Sequence, residues 1–205
     1  MLHLACELPH KLVVACSGGP DSMALLDYAT MTGKREVIAC YVNHQTPNAE
    51  AGERVVRGFC KKKGIRLEVR NLTYMKDPRR KITLEEWWRE ERKYILNDIA
   101  ANEKCLYATG HHLDDVAEWW ILSALRGEPH LIPTVNERNI KPLLLTRKAE
   151  LEDWCTRRDL RYVLDPTNVG GYNSRAKLRE GVMSALERIH PGFYTTLANK
   201  YRKEV

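Results

Sequence analysis

The stretch that most limits what this chain can fold into is Ser17-Gly18-Gly19-Pro20-Asp21-Ser22. It follows the apolar run Leu12-Val13-Val14-Ala15-Cys16 and precedes the helix-like run Met23-Ala24-Leu25-Leu26-Asp27-Tyr28-Ala29. A strand, a tight turn and a helix start are therefore expected in that order. Two adjacent glycines let the backbone take φ > 0 and come close to a ligand. Amides of the turn and of the first helical residues have no intrahelical partner, so they suit an anion. Ser17 and Ser22 add hydroxyls, and Asp21 is placed to hold a magnesium ion or to orient phosphates. The Walker pattern G-x-x-x-x-G-K-[ST] is absent, because no lysine stands in the required place. The competing reading is a glycine turn with no ligand, and the strand-to-helix setting speaks against it.

Further apolar runs at Val37–Val42, Leu67–Val69 and Cys105–Thr109 alternate with segments of helical length such as Ala49 to Lys63. That alternation predicts an α/β fold, a doubly wound parallel sheet covered on both faces. Ligands of such sheets sit outside the carboxyl ends of the strands. Three motifs fall there: Ser17–Ser22, Asn43-His44 and His111-His112. The expected organisation is one nucleotide-binding domain over residues 1–145, with a helical, basic extension over residues 146–205 packed on it.

The 205 residues, 43% of them hydrophobic, suffice for one substantial core. No apolar run approaches the ~20 residues of a membrane span, and the N-terminus lacks a signal-peptide core. Six scattered cysteines, Cys6, Cys16, Cys40, Cys60, Cys105 and Cys155, form no C-x-x-C pair. They read as free thiols in a reducing cytoplasm, and their spacing counts against an iron–sulfur or structural zinc site. The formal charge is +6, with seven Lys/Arg against three Asp/Glu between Gly171 and Val205. Lys61-Lys62-Lys63 and Arg79-Arg80-Lys81 are further basic knots. Such clusters suit a nucleic-acid backbone, although a solvated lysine-rich surface is the plainer reading of charge alone.

Thr83-Leu84-Glu85-Glu86 has the form of a capping box that opens a helix. In that helix Arg89 and Arg92 share a face and could clamp phosphates, or could pair with nearby acids. The adjacent Trp87-Trp88 suggests core packing. Gly110-His111-His112-Leu113-Asp114-Asp115-Val116-Ala117-Glu118 leads into a helix whose apolar stripe is Leu113, Val116, Ala117, Trp120, Ile121 and Ala124. His111, Asp115 and Glu118, at i, i+4 and i+7, then line a second face. A carboxylate there can ligate magnesium, hold a substrate ammonium or take a proton from an attacking amine. A helix start also attracts acids through its dipole, but two acids and two histidines exceed that need.

The Ser17–Ser22 sextet resembles the SGGxDS signature of the PP-loop, or N-type, ATP pyrophosphatases. The later motifs narrow the resemblance to tRNA(Ile)-lysidine synthetases: Leu84-Glu85 through Arg89 and Arg92, His111–Glu118, Arg126-Gly127 and Lys141-Pro142-Leu143-Leu144. Asp165-Pro166-Thr167-Asn168 and Arg175-Ala176-Lys177-Leu178-Arg179 complete the series, so the similarity runs from about residue 12 to about 192. It implies a five-stranded PP-loop sheet, ATP and Mg2+ as cofactors, and a tRNA partner, isoleucine tRNA with a CAU anticodon. It implies adenylation of O2 of a cytidine and displacement of AMP by free lysine. By position, Ser17, Gly18, Gly19, Asp21, Ser22, Asn43 and His44 would bind ATP, with Asp21 the candidate magnesium ligand. Asp21, Arg89, His111, Asp115 and Glu118 would be catalytic, Asp115 and Glu118 also holding the amine. Arg92, Arg126, Arg175, Lys177 and Arg179 would meet nucleic acid.

The chain departs from the family pattern at Trp119 for threonine, at Trp87-Trp88 for small residues, at Lys141 for arginine and at Ala176 for asparagine. Bulky tryptophans beside the site would reshape the amine or base pocket. The resemblance is to a minimal catalytic-domain form without the usual C-terminal tRNA-gripping domains. Nothing in the sequence separates a monomer from a homodimer. The competing functions are another PP-loop transferase, such as a cytidine thiolase or a free-nucleotide amidating enzyme, and a catalytically silent nucleotide- or RNA-binding module.

Overall fold

Strand β1 (Lys11–Cys16) is the centre of the sheet, and its alternating side chains explain why. Leu12, Val14 and Cys16 enter one hydrophobic cluster, while Val13 enters the other. A strand buried on both faces must have helices on both sides. The computed structural model describes residues 1–46, 49–72, 82–164 and 174–204. Arg79-Arg80-Lys81 and Asp165-Pro166-Thr167-Asn168 lie outside the described residues.

Helix α1 (Pro20–Thr30) leads to β2 (Glu36–Asn43), α2 (Ala49–Lys63) to β3 (Arg66–Asn71), and α3 (Leu84–Asn102) to β4 (Leu106–Ala108). Val37, Ala39 and Tyr41 of β2 share the first cluster with α1 and with Val56 and Cys60 of α2. Ile38, Cys40 and Val42 share the second with Leu96, Ile99 and Ala100 of α3. The expected capping box opens α3: the Thr83 amide donates to Glu86 Oε2 at 2.8 Å and the Glu86 amide to Thr83 Oγ1 at 3.2 Å.

β5 (Val135–Asn136) and β6 (Asn139–Ile140) form a short hairpin, turned through Glu137 at φ 55°. The strand order is β3-β2-β1-β4-β6-β5. The expected five parallel strands are present as β3, β2, β1, β4 and β6, and β5 adds a sixth, antiparallel edge. The chain winds outward from β1 to β3, then crosses back to place β4 on the other side of β1. The carboxyl ends of β1 and β4 thus flank the topological switch point, where α/β sheets form their crevice.

α4 (Leu113–Ala124) buries Leu113, Val116 and Ala117 against Tyr194, Leu197, Ala198 and Tyr201 of α8 (Phe193–Glu204). A 3-10 turn (Pro142–Leu145) precedes α5 (Lys148–Arg157). Leu151, Trp154 and Cys155 of α5 enter the α1-side cluster, and Trp154 Nε1 donates to the buried Asp27 at 3.1 Å. Arg158 pairs with the same carboxylate. α6 (Ser174–Lys177), a π-helical turn (Leu178–Val182) and α7 (Met183–Ile189) complete the chain before α8. Among the described residues no helix is long and apolar enough to cross a membrane.

Candidate active site

The turn after β1 is built as an anion cradle. Gly18 stands at φ 82°, and a Cβ there would lie 2.7 Å from the Cα of Gly52. A Cβ on Gly52 would in turn lie 2.6 Å from the carbonyl oxygen of Ser17. Two glycines therefore let the turn rest directly on the backbone of α2. Ser22 Oγ accepts from the Ser17 amide at 3.1 Å and donates to the Gly19 carbonyl at 3.0 Å, which closes the turn. Pro20 opens α1 and has no N–H; the first intrahelical bond runs from Met23 to Gly19. The amides of Asp21 and Ser22 precede that bond, as first-turn donors do.

Opposite the cradle lies the turn after β4. Gly110 brings this turn against α1, since a Cβ there would be 3.2 Å from the Asp21 carbonyl carbon. The structure places His111 in this turn, because α4 begins only at Leu113. The expected single helical face of His111, Asp115 and Glu118 is replaced by a turn residue facing a helix. Thr109 Oγ1 donates to Asn139 Oδ1 at 3.1 Å and lies 2.9 Å from His111 Nδ1. With its one proton so used, the hydroxyl must accept from Nδ1–H, which leaves the lone pair on Nε2. Burial, reinforced by Arg92, Lys141 and Arg175, lowers the His111 pKa to about 4 against the pull of Asp115. His111 is thus a neutral imidazole near pH 7.

His112 is buried among three carboxylates. Its Nε2 lies 3.7 Å from Asp21 Oδ2 and 3.6 Å from Asp115 Oδ2, and its Nδ1 lies 3.6 Å from Asp114 Oδ2. Burial pulls the imidazole down, but these acids outweigh it and hold the ring above its ordinary pKa. One ring nitrogen thereby draws Asp21 and Asp115 together from two different helices. Burial raises Asp21, opposed by His112 and Lys148, and among the described residues its buried Oδ1 has no hydrogen-bond partner. Asp115 is also buried, which raises it. The two histidines and the His112 amide, 3.1 Å from Oδ2, overcome that and keep it below the usual carboxylate range.

Glu118 is 2% exposed and takes both oxygens to Arg179, whose Nη2 donates to Oε2 at 3.0 Å and lies 3.8 Å from Asp115. Arg179 is therefore an internal partner of the acids, and Glu118 sits behind Asp115. Ser17, Gly19, Asp21, Ser22, His44, Arg92, His111, Asp115, Arg175 and Arg179 line one cavity of about 800 Å³. Gly18 supports this cavity through its backbone. Asn43 turns aside, donating to Glu53 at 3.0 Å and accepting from the Gln45 amide at 2.7 Å. Arg89, Arg126 and Lys177 are exposed and outside the lining.

The tryptophans do not narrow the main cavity. Trp119 meets His130 edge-on at 5.3 Å, Trp120 meets Phe193, and Trp88 meets His44 at 5.3 Å. Trp88 and His44 instead bound a side pocket of about 320 Å³ with Gln45, Leu72 and Leu84. Sequence reasoning missed Thr109, Asn139, Gly52 and Lys148. Asn139, Gly52 and Lys148 act through partners distant in the chain, and Thr109, two residues before His111, is fixed by Asn139 thirty residues on, so no local spacing marks them. Cys6 is half-buried and the other five cysteines are buried, all of them free thiols.

A parallel sheet with a glycine cradle after its central strand, faced across the switch point by a His/Asp turn, defines a nucleotide-binding protein of the PP-loop class. The chain belongs to the PP-loop domain family, whose profile matches residues 3–186. It is 33% identical over 191 residues to a tRNA(Ile)-lysidine synthase of Pseudothermotoga lettingae, a match covering 88% of this chain and 43% of that one. A tRNA(Ile)-lysidine synthase of Enterococcus faecalis is 31% identical over 209 residues, covering 93% and 44%. These relatives bear out the resemblance read from the motifs, and the chain spans less than half of their length. Among solved structures, the U34-tRNA thiolase NcsA of Methanococcus maripaludis superposes with a TM-score of 0.75 at 23% identity, over 94% of this chain and 70% of that one. That likeness is one of fold.

Proposed function

We propose that this chain is the catalytic unit of an ATP-dependent tRNA-modifying ligase of the lysidine type. The carrying observation is the convergence of two chemistries in one cavity: the phosphate cradle at Ser17–Ser22 and the His111/Asp115 pair across from it. The residues fit a nucleotide, because among the described residues the first-turn amides of the cradle and Asp21 Oδ1 have no hydrogen-bond partner. Bound ATP would supply an adenylyl group to O2 of a cytidine, with pyrophosphate as the leaving group, and the ε-amine of lysine would then displace AMP at C2.

The chain's own residues divide that work. The turn amides and the Ser17 and Ser22 hydroxyls bind phosphate oxygens, and Asp21 with its open Oδ1 is the ligand for magnesium. Arg92 and Arg175, which line the cavity, neutralise phosphate or orient the base. Asp115 is held ionised and attracts the cationic amine, while His111 offers Nε2 as a proton acceptor. Because Arg179 occupies Glu118, the first contact of an incoming amine falls on Asp115. Exposed Arg89, Arg126 and Lys177 meet tRNA phosphates, and His44 with the Trp88 pocket walls the nucleoside end of the cavity.

The test is transfer of radiolabelled lysine into isoleucine tRNA carrying a CAU anticodon, with ATP and magnesium. Label in the RNA, lost on omitting ATP, is the expected outcome. No label, with undiminished AMP release, would assign the adenylation to this chain and the amine to another class.

A further inference from the structure

The cradle at Ser17–Ser22 lacks the lysine that a Walker loop carries to its β- and γ-phosphates. Amides and hydroxyls alone leave a polyphosphate without a compact countercharge, which is what a lysine ammonium supplies. Helix α5 brings one. Lys148, its first residue, lines the same cavity as Ser17, Gly19, Asp21 and Ser22, and it acts on the Asp21 carboxylate across that space.

Its backbone is fixed from α4. The Lys148 amide donates to Asp114 Oδ2 at 2.7 Å, and Arg147 Nε donates to Asp114 Oδ1 at 3.1 Å. Arg147 is held further by Glu187 at 3.0 Å and by the face of Tyr194, 3.3 Å from its guanidinium carbon. The body of α5 cannot slide against α1, because Cys155 Sγ donates to the Pro20 carbonyl at 3.4 Å and Trp154 is tied to Asp27. The two helix starts, at Pro20 and Lys148, are therefore held in one frame. Arg147 and Arg179 have carboxylate partners. The Lys148 ammonium has none within ion-pair distance among the described residues.

We propose that Lys148 is the cation of the phosphate cradle, binding the β,γ-phosphates of the nucleotide and the pyrophosphate that leaves, and that Asp114 is the positioning residue that aims it. This rests on the ATP reading above. When the bond between the α-phosphorus and the bridging oxygen breaks, its electron pair goes to pyrophosphate, and the ammonium meets that growing charge. The proposal also gives the first of the two aspartates that open α4 a task separate from the chemistry, which the second retains.

The experiment is calorimetric titration of the full chain with inorganic pyrophosphate, ATP and AMP, for the wild type, Lys148→Met, Lys148→Gln and Lys148→Arg. Loss of the ammonium should weaken pyrophosphate and ATP by about 10-fold or more and AMP by less than about 2-fold, with Lys148→Arg recovering most of the affinity. Two neutral variants guard against one that folds poorly, and thermal melting reports this. Pyrophosphate affinity unchanged in a folded Met or Gln variant overturns the proposal and leaves the ATP reading standing. A wild-type chain that binds neither ATP nor pyrophosphate overturns both.

Discussion

His111 shows how little sequence is needed to supply an imidazole and how much structure to aim it. A histidine after a buried strand has no inherent direction. Thr109 gives it one by accepting Nδ1–H while its own proton goes to Asn139, and burial keeps the ring neutral. Replacing His111 with Asn should lower AMP release by about 10²-fold or more while leaving ATP affinity nearly unchanged, as kinetic and binding assays would show. The same histidine links stability to pH. Its folded pKa of about 4 lies below the ordinary 6.5, so the unfolded chain binds more protons between those values. The stability its neutral form carries is complete above about pH 6.5 and is lost as pH falls towards 4. Denaturant midpoints across that range should fall with acid in the wild type and less steeply in His111→Asn. Gly18 tests the cradle at the same scale. Gly18→Ala must take φ 82° and place its Cβ on Gly52, at a cost of about 2–4 kcal/mol, so both melting temperature and ATP affinity should drop.

At the scale of elements, α4 is tied at both flanks by acids from one short motif. Asp114 joins it to the start of α5, and Glu118 joins it to Arg179 in the π-helical turn. Arg179→Met strands a Glu118 that is 2% exposed. The expected cost is about 2–3 kcal/mol, below that of a fully buried pair because the Arg179 side chain is 38% exposed. Adding Glu118→Gln should recover much of it in chemical denaturation. No recovery would mean that the π-helical turn is held by other contacts. What was legible in advance follows the same division. β1, β2, α2, the capping box of α3 and the apolar stripe of α4 were readable, because each is written in a contiguous period or cap. The β5–β6 hairpin was not, since two-residue strands carry no period. The roles of Asp114 and Arg179 were hidden because their partners lie 33 and 61 residues away. The strand-end motifs meet at one cavity because a doubly wound sheet gathers carboxyl ends, whatever the loops between them.

For the whole molecule, the formal charge of +6 matters through where it faces. Arg92 and Arg175 look into the cavity, whereas Arg89, Arg126 and Lys177 are exposed outside it. RNA binding should therefore weaken steeply with salt. Each exposed residue changed to Ala should reduce the log–log salt slope by about 0.7–0.9 if it meets one phosphate, measurable by filter binding. A variant that lowers affinity without changing the slope would remove that residue from the backbone contacts. The central claim, that one cavity joins an ATP-cleaving cradle to a base-and-carboxylate pair serving an RNA acceptor, is tested most directly by one measurement. It is release of pyrophosphate and AMP from ATP, with and without isoleucine tRNA bearing a CAU anticodon, with and without lysine, and with Asp115→Asn as control. The account predicts release that requires the RNA and lysine and is abolished in Asp115→Asn. No release with any RNA, from a chain that still binds ATP, would contradict it and leave a nucleotide-binding module.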